Sequence, residues 1–208
     1  MITLYSWTTP NGRKVSIALE EMGLPYKAVE VNIGKDEQFT PDFLKISPNN
    51  RIPALTDGGT ALFESGAMLM YLAEKSGKFM PPYGSDRYWQ MMQWMMWQMG
   101  GFGPMLGQAH HFLKYNAGTS EYSEARFHTE AKRLYGVLDR HLATSPYIID
   151  ELSIADFAIW PWASRFEWHQ IDMNAFPHVK RWYLELAARP AFERGYKQPS
   201  DVGEIPLP

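Results

Sequence analysis

The sequence predicts two domains, an α/β domain followed by an all-α domain. Strand-like and helix-like segments alternate over the first 77 residues, whereas only helical patterns follow residue 85. A stretch rich in Pro and Gly separates the two patterns, and a chain of 208 residues has the length of two small domains. We therefore predict a first domain at 1–77, a linker at 78–85 and a helical second domain at 86–208.

The elements of the first domain follow from turn and capping residues between apolar segments. Pro10 suits the first position of a helix that Gly23 closes, and Asp57-Gly58-Gly59 suits a hairpin turn. Ser65 is predicted to be the N-cap of the last helix. The predicted elements are, in order, a strand at 2–5, a helix from Thr9-Pro10 to Gly23, a strand at 26–31, a short helix from Thr40-Pro41 that stops by Ser47-Pro48, strands at 52–56 and 61–63, and a helix from Ser65 to Gly77.

The order βαβ, short helix, ββα is that of a thioredoxin-like domain with a four-stranded sheet. In the second domain, Ser153 and Asp156 have the spacing of an acidic capping box and mark the start of a helix. The predicted fold class is therefore an α/β thioredoxin-like N-terminal domain plus an all-α C-terminal domain. Helical spacing places the helices of the second domain around 86–99, 121–143, 153–168 and 176–188.

The composition favours a folded, soluble protein. Hydrophobic residues make up 45% of the chain and aromatic residues 14%, which is too many for a disordered segment. The net charge of −3 provides no attraction to nucleic acid or to an anionic membrane. Neither a secretory signal nor an apolar run of about 20 residues is present. We therefore expect a cytoplasmic protein with no nucleic-acid or membrane partner.

The absence of cysteine restricts the possible chemistry. With no cysteine in the chain, disulfide scaffolds, cysteine-bearing zinc sites and protein-thiol nucleophiles are all excluded. His110 and His111 are adjacent, so on a helix their side chains point about 100° apart and form a poor metal pair. We expect no bound metal, and any thiol that reacts must arrive with a ligand.

Three motifs occur along the chain in a characteristic order. The first is SPNNRIPAL at 47–55, the second is LFESGA at 62–67, and the third is SIAD at 153–156. In this order and spacing they resemble the motifs of the cytosolic glutathione transferase superfamily over nearly the whole chain. The resemblance implies the glutathione transferase fold, a cis peptide bond before Pro53, glutathione as a cosubstrate, and a homodimer.

A narrower resemblance is carried by TTPNG at 8–12, Trp97-Gln98 and GQAHHF at 107–112. These segments are similar to the bacterial Nu class, whose members are known as glutathione-dependent disulfide reductases. The resemblance implies an enzyme, a glutathione-dependent disulfide reductase or transferase in which bound glutathione supplies the reactive thiolate. Because the chain has no cysteine that could form a mixed disulfide, disulfide reduction would need two glutathione molecules.

The resemblance also implies roles for single residues. Thr9 and Asn11, at the start of the first helix, would contact the glutathione thiol and are the catalytic candidates. A free thiol has a pKa of about 8.5, and a helix N-terminus with hydroxyl and amide donors can lower it. Tyr5 and Ser6 are rivals for this role, because superfamily relatives use Tyr, Ser or Cys in this neighbourhood.

The other candidates would hold the tripeptide. Read without the resemblance, Ser65 and Thr9 would be ordinary N-caps, Glu64 a solvated turn residue, and Gln38 and Arg126 surface side chains. The resemblance instead implies contacts with glutathione from Gln38 and Arg51 at the glycyl end, Ile52 and Pro53 at the cysteinyl backbone, Glu64 and Ser65 at the γ-glutamyl end, and Arg126 across the dimer.

Three functions remain open on the sequence alone. The bound thiolate could reduce a small disulfide, or it could be conjugated to an electrophilic small molecule. The fold could also serve as a binding module without turnover. The intact pair Glu64 and Ser65, with polar residues on the thiol side, disfavours the binding module.

Overall fold

A computed structural model describes residues 1–208 and divides into two compact units. The first unit comprises 1–80 together with 187–205, and the second comprises 81–186 together with 206–208. The units differ from the predicted division at the C-terminal end, since 187–205 belongs to the first unit and not to the helical domain. No helix of the chain combines the length and the apolar character that crossing a bilayer requires.

The first unit contains one four-stranded sheet with the strand order β2-β1-β3-β4. Strand β1 is parallel to β2 and antiparallel to β3, and β3 is antiparallel to β4. The predicted α/β thioredoxin-like arrangement is confirmed, and Gly58 turns the β3–β4 hairpin with a φ of 60°. The strands are β1 Ile2–Ser6, β2 Tyr26–Glu30, β3 Ala54–Asp57 and β4 Thr60–Phe63.

Helices cover most of the remaining chain. Short 3₁₀ turns at Ile33–Lys35 and Glu37–Phe39 lead from β2 into the second α-helix. In chain order the α-helices are α1 Pro10–Met22, α2 Pro41–Leu44, α3 Ser65–Ser76, α4 Asp86–Trp97, α5 Gly103–His110, α6 Glu121–Leu142, α7 Ile154–Ala163, α8 Pro177–Ala187 and α9 Pro190–Tyr196.

The ends of α1 and α3 follow the sequence signals, with one correction. Thr9 caps α1, and Gly23 and Gly77 end α1 and α3 in the left-handed conformation. The prediction that Ser65 is an N-cap is wrong, because Glu64 occupies the cap position with a φ of 73° and Ser65 is the first helical residue. The backbone N–H and the hydroxyl of Ser65 therefore both lie at the N-terminus of α3.

Helix α9 belongs to the first unit because it packs on α1. Gly195 makes this approach possible, since a Cβ there would lie 2.6 Å from the Cα of Ile17. The Ser16 hydroxyl donates to the carbonyl of Gly195 at 2.7 Å, and both groups are buried. These contacts join residues that are far apart in sequence, and so the local pattern gave no indication of them.

The second unit contains the four predicted helices and one that was not predicted. Helix α4 runs through a π-helical turn at Gln98–Phe102 into α5. The glycines of this segment obscured α5 in the sequence, yet Gly103 serves packing. A Cβ at Gly103 would lie 2.5 Å from the side-chain nitrogen of Gln98 and 3.1 Å from the indole nitrogen of Trp162, whereas one at Gly107 would lie 3.4 Å from the Trp162 ring, at an ordinary contact distance.

The predicted capping box at the start of α7 is confirmed. The Ser153 hydroxyl accepts from the N–H of Ala155, and the Asp156 carboxylate accepts from the N–H of Ser153 at 2.9 Å. The same carboxylate accepts from the indole N–H of Trp182 at 2.9 Å. Asp156 therefore links α7 to α8 in the core of the second unit, beyond its capping role.

Candidate active site

The strand register brings the ends of the four strands to one edge of the sheet. Ser6, the last residue of β1, is paired with Glu30, the last residue of β2. Ala54, the first residue of β3, is paired with Tyr5 of β1 and with Phe63, the last residue of β4. The chain segments that leave this edge carry Thr9 and Asn11 after β1, Gln38 after β2, Ile52 and Pro53 before β3, and Glu64 and Ser65 after β4.

Polar groups converge at the N-terminus of α1. The Thr9 hydroxyl accepts from the N–H of Gly12 at 3.3 Å, and a hydroxyl that accepts in this way keeps its own proton for another acceptor. Asn11 is half-buried in the first turn, and Pro10 contributes no N–H. A helix N-terminus carries partial positive charge, so this end of α1 can stabilise an anion such as a thiolate.

The two rival residues are occupied in packing. Ser6 is buried beneath α1, where its hydroxyl donates to the carbonyl of Trp7 at 3.3 Å. Gly12 covers it so closely that a Cβ at that position would lie 2.2 Å from the Ser6 oxygen. Tyr5 packs against a small apolar cluster of the first unit, which comprises Val31, Phe43 and Ala54.

The N-terminus of α3 contains a buried lysine that the sequence analysis missed. Ser65 is buried, and the Lys14 ammonium donates to its hydroxyl oxygen at 3.4 Å. Burial lowers the pKa of Lys14 to about 7, and the nearby charge of Glu64 opposes that effect. The sequence pattern indicated this burial, because Lys14 lies four residues before Ala18 and eight before Met22, on the buried stripe of α1.

The segment around Gln38 presents a buried acceptor. Gln38 is only 6% exposed, and its Oε1 atom is buried without a hydrogen-bond partner. An unsatisfied buried polar group costs about 1–3 kcal/mol, so a donor from a ligand would relieve that cost. Arg51 is exposed, and its carbonyl accepts from the buried Ser47 hydroxyl at 2.8 Å. The implied cis peptide bond between Ile52 and Pro53 is confirmed.

Arg126 lies in the second unit, whereas the other candidate residues lie near the strand ends of the first unit. It is exposed on α6 and contributes to the lining of an open cleft of about 650 Å³. The hydrogen bond from Arg133 lowers the pKa of the Glu130 carboxyl, and the charge of Arg126 makes a smaller contribution in the same direction. The other residues of this cleft are Met105, Tyr122, Ala125, Phe127, Thr129 and Glu130.

A four-stranded thioredoxin-like sheet with a cis proline before its third strand, joined to a helical unit, is the architecture of the glutathione transferases. The family models of the glutathione S-transferase N-terminal domain and C-terminal domain match 1–74 and 121–185. The chain belongs to the glutathione S-transferase family.

Two relatives from Escherichia coli K12 carry names that specify an activity. The chain is 46% identical to the disulfide-bond oxidoreductase YfcG over 199 residues, which covers 92% of each chain. It is 41% identical to the disulfide-bond oxidoreductase YghU over 217 residues, which covers 93% of this chain and 73% of YghU.

Solved structures of similar proteins contain glutathione. A glutathione transferase from Pseudomonas putida has one glutathione disulfide bound per subunit. It matches with a TM-score of 0.90 and 44% identity, over 96% of this chain and 92% of that one. One from Burkholderia graminis has two glutathione molecules per subunit, and it matches with a TM-score of 0.89 and 40% identity, over 95% of this chain and 88% of that one.

Proposed function

We propose that this protein is a Nu-class glutathione transferase that reduces small disulfides, with bound glutathione as the source of the reactive thiolate. The observation that carries the proposal is the absence of cysteine in a chain whose relatives are named disulfide-bond oxidoreductases. Such a chain cannot provide the attacking sulfur itself. The donors at the N-terminus of α1 support a ligand thiolate in its place.

The reaction proceeds by two thiol–disulfide exchanges. The thiolate of the first glutathione attacks one sulfur of the substrate disulfide, forms a mixed disulfide with it, and expels the other sulfur as a thiolate that takes a proton. The thiolate of a second glutathione attacks the glutathione sulfur of the mixed disulfide, which yields glutathione disulfide and releases the second substrate thiol. Two glutathione molecules are oxidised, and one disulfide is reduced to two thiols.

The residues at the sheet edge divide the work of binding and activation. Thr9 and Asn11 hold the glutathione sulfur as a thiolate, through a hydroxyl proton and an amide group at the N-terminus of α1. Ser65 binds the γ-glutamyl carboxylate at the N-terminus of α3, and the exposed Glu64 takes the neighbouring ammonium. Gln38 and Arg51 take the glycyl end, and Ile52 and Pro53 contact the cysteinyl backbone.

Three further features belong to the proposal. The protein binds two glutathione molecules per subunit, as the structure from Burkholderia graminis does. It is a homodimer, in which Arg126 of one subunit reaches glutathione held by the other. It acts in the cytoplasm, where glutathione is abundant and thiols are kept reduced. Conjugation to an electrophile would use the same thiolate, but no observation on this chain favours it.

The experiment is a steady-state assay of glutathione-dependent reduction of a small dialkyl disulfide. The glutathione disulfide that forms is measured by coupling to glutathione reductase. We expect Thr9→Ala and Asn11→Ala each to lower kcat about tenfold or more, because each removes a donor to the developing thiolate. Thr9→Ser keeps the hydroxyl and should retain most activity. Glutathione binding, measured calorimetrically, should persist in all three variants.

The chain offers a matched control for the loss of a helix cap. Thr40-Pro41 starts α2 as Thr9-Pro10 starts α1, and the Thr40 hydroxyl accepts from the N–H of Phe43 at 3.4 Å. Thr40→Ala should therefore lower the free energy of unfolding about as much as Thr9→Ala does, but without loss of turnover. Absence of turnover by the intact protein, despite glutathione binding, would refute disulfide reduction and would leave conjugation to be measured with an electrophile.

A further inference from the structure

Lys14 is a buried lysine that lies beside the N-terminus of α3. Its side chain is 1% exposed, and its ammonium donates to the Ser65 hydroxyl oxygen at 3.4 Å. Lysine is almost never fully buried unless its charge is compensated. Glu64, the residue before Ser65, is the carboxylate whose charge favours the ammonium form of Lys14.

The charge on Lys14 decides which way the Ser65 hydroxyl points. An ammonium group can only donate hydrogen bonds, so the Ser65 oxygen is the acceptor in this contact and its proton points away from Lys14. A neutral amine has a lone pair and can accept that proton, which would turn the hydroxyl toward Lys14. Ser65 would then present a lone pair, not a donor, to an incoming carboxylate.

We propose that Lys14 is a positioning residue of the γ-glutamyl subsite, whose ammonium orients the Ser65 hydroxyl toward the ligand carboxylate and adds positive charge beneath the N-terminus of α3. The inference rests on the proposed function, because it takes glutathione as the ligand at Ser65. It adds a buried cation to the part of the subsite that holds the carboxylate, where the other groups are the Ser65 hydroxyl and the helix N-terminus.

The geometry couples glutathione binding to protonation. Burial lowers the pKa of Lys14 to about 7, against the opposing charge of Glu64, the ionisable group that acts on it from the start of α3. A carboxylate bound at Ser65 favours the protonated lysine and so raises its pKa. Binding therefore takes up protons near and above pH 7, and affinity falls as the pH rises.

The test uses S-methylglutathione, which keeps both carboxylates and the amine but has no thiol to ionise. Its binding to the intact protein is measured by calorimetry between pH 6 and pH 8, in two buffers with different ionisation enthalpies. We expect the affinity to fall by up to about tenfold over this range, with net proton uptake at the upper end. The γ-glutamyl amine keeps its proton throughout this range.

Three variants assign the effect to the proposed contact. Lys14→Met should bind S-methylglutathione more weakly at pH 6 and with little pH dependence. Ser65→Ala should also bind more weakly but keep part of the pH dependence, because the charge of Lys14 remains beneath the N-terminus of α3. The double variant should lose less affinity than the sum of the two single losses, because the two residues share one contact. Lys78→Met is the matched control, since Lys78 donates to the carbonyl of Met22 at the far end of α1, and it should keep the full pH dependence.

Each result bears on a separate claim. A constant affinity of the intact protein from pH 6 to pH 8, or a pH dependence that survives in folded Lys14→Met, would overturn the role of Lys14 while leaving glutathione binding established. Failure of the intact protein to bind S-methylglutathione at any pH would instead overturn the proposed function, and the role of Lys14 with it.

Discussion

The guanidinium of Arg13 lies 3.5 Å from the centre of the Tyr196 ring, and its Nε donates to the Tyr196 carbonyl at 3.1 Å. The two residues are separated by most of the chain, yet both are buried. One arginine thus both stacks on the aromatic ring and hydrogen-bonds the backbone of the same residue. This contact, with the close approach of Gly195, holds α9 against α1.

Arg13→Lys is expected to lower the free energy of unfolding by about 1–3 kcal/mol, because a lysine cannot stack its charge on the ring and also donate in the same plane. The matched control is Arg194→Lys, at an exposed arginine whose Nε donates to Glu20 at 2.7 Å, where we expect a much smaller change in the free energy of unfolding. Denaturant unfolding measures both. Equal effects of the two substitutions would show that the buried contact is not the source of stability.

Gly12→Ala should destabilise the start of α1. A Cβ there would lie 2.2 Å from the Ser6 oxygen and 2.4 Å from the carbonyl oxygen of Trp7, and a backbone oxygen cannot move aside cheaply. We expect a loss of about 1–3 kcal/mol in unfolding free energy, together with weaker glutathione binding. Adding Ser6→Ala should restore only part of the stability, since the carbonyl of Trp7 remains in place. Gly59, which has open space around it, is the control position for the same substitution.

The sequence predicted the parts of the fold that depend on local chemistry. The Thr9 cap, the Gly23 and Gly77 terminators and the capping box at Ser153 all lie where turn and capping residues indicated. Each depends on a few adjacent residues whose conformational preferences are strong. The cis bond before Pro53 was implied by family resemblance, because the dipeptide itself favours trans.

What could not be predicted depends on partners that are distant in sequence. Helix α5 was missed because its glycines reduce helix propensity, although Gly103 is needed where the side chains of Gln98 and Trp162 pack against the helix. The position of α9 depends on Arg13, whose partner lies near the other end of the chain. The burial of Lys14 is a different case, because its place on the apolar stripe of α1 indicated burial although a lysine side chain is normally expected in solvent.

Two stacked histidines should make the second unit sensitive to acid. The rings of His110 and His169 lie 4.5 Å apart and nearly parallel, and the Nε2 atom of each is buried without a hydrogen-bond partner. Burial, with a contribution from Arg165, lowers the pKa of His110 to about 3. Burial also lowers the pKa of His169, and the charges of His110 and Arg165 lower it further.

The direction of the pH effect follows from the unfolded chain, in which a histidine has a pKa of about 6.5 and binds protons that the folded state does not bind. The free energy of unfolding is therefore undiminished by these histidines above pH 6.5, and it falls as the pH drops toward 3. At pH 5 the contribution of His110 alone is a loss of about 2 kcal/mol. Asp156 acts in the opposite direction, because burial raises its pKa to about 6 and the folded state takes up its proton first as the pH falls.

His110→Gln separates the two effects. The intact protein loses unfolding free energy between pH 7.5 and pH 5, and we expect this loss to be about 2 kcal/mol smaller in the variant. Denaturant unfolding at the two pH values gives the difference directly. His178→Gln, at a half-buried histidine in the same unit, serves as the control. An unchanged pH dependence in His110→Gln would mean that the buried pair does not govern acid stability.

Gln38→Met should raise stability and weaken glutathione binding at the same time. The substitution keeps the length of the side chain but removes the buried Oε1 acceptor that has no partner in the protein. Removing an unsatisfied buried acceptor should raise the unfolding free energy by about 1 kcal/mol. The N–H of the glycyl residue of glutathione would lose the same acceptor, so the KM for glutathione should rise about tenfold with kcat little changed.

The opposite signs make Gln38→Met informative about why this residue is glutamine. A surface change, Gln90→Met on the exposed face of α4, should leave both stability and KM nearly unchanged. If Gln38→Met lowered stability, the side chain would have to be satisfied within the protein and would not be held ready for a ligand. If stability rose while the KM stayed constant, the unpaired acceptor would lie outside the glutathione site, and the glycyl end would have to be bound by Arg51 alone.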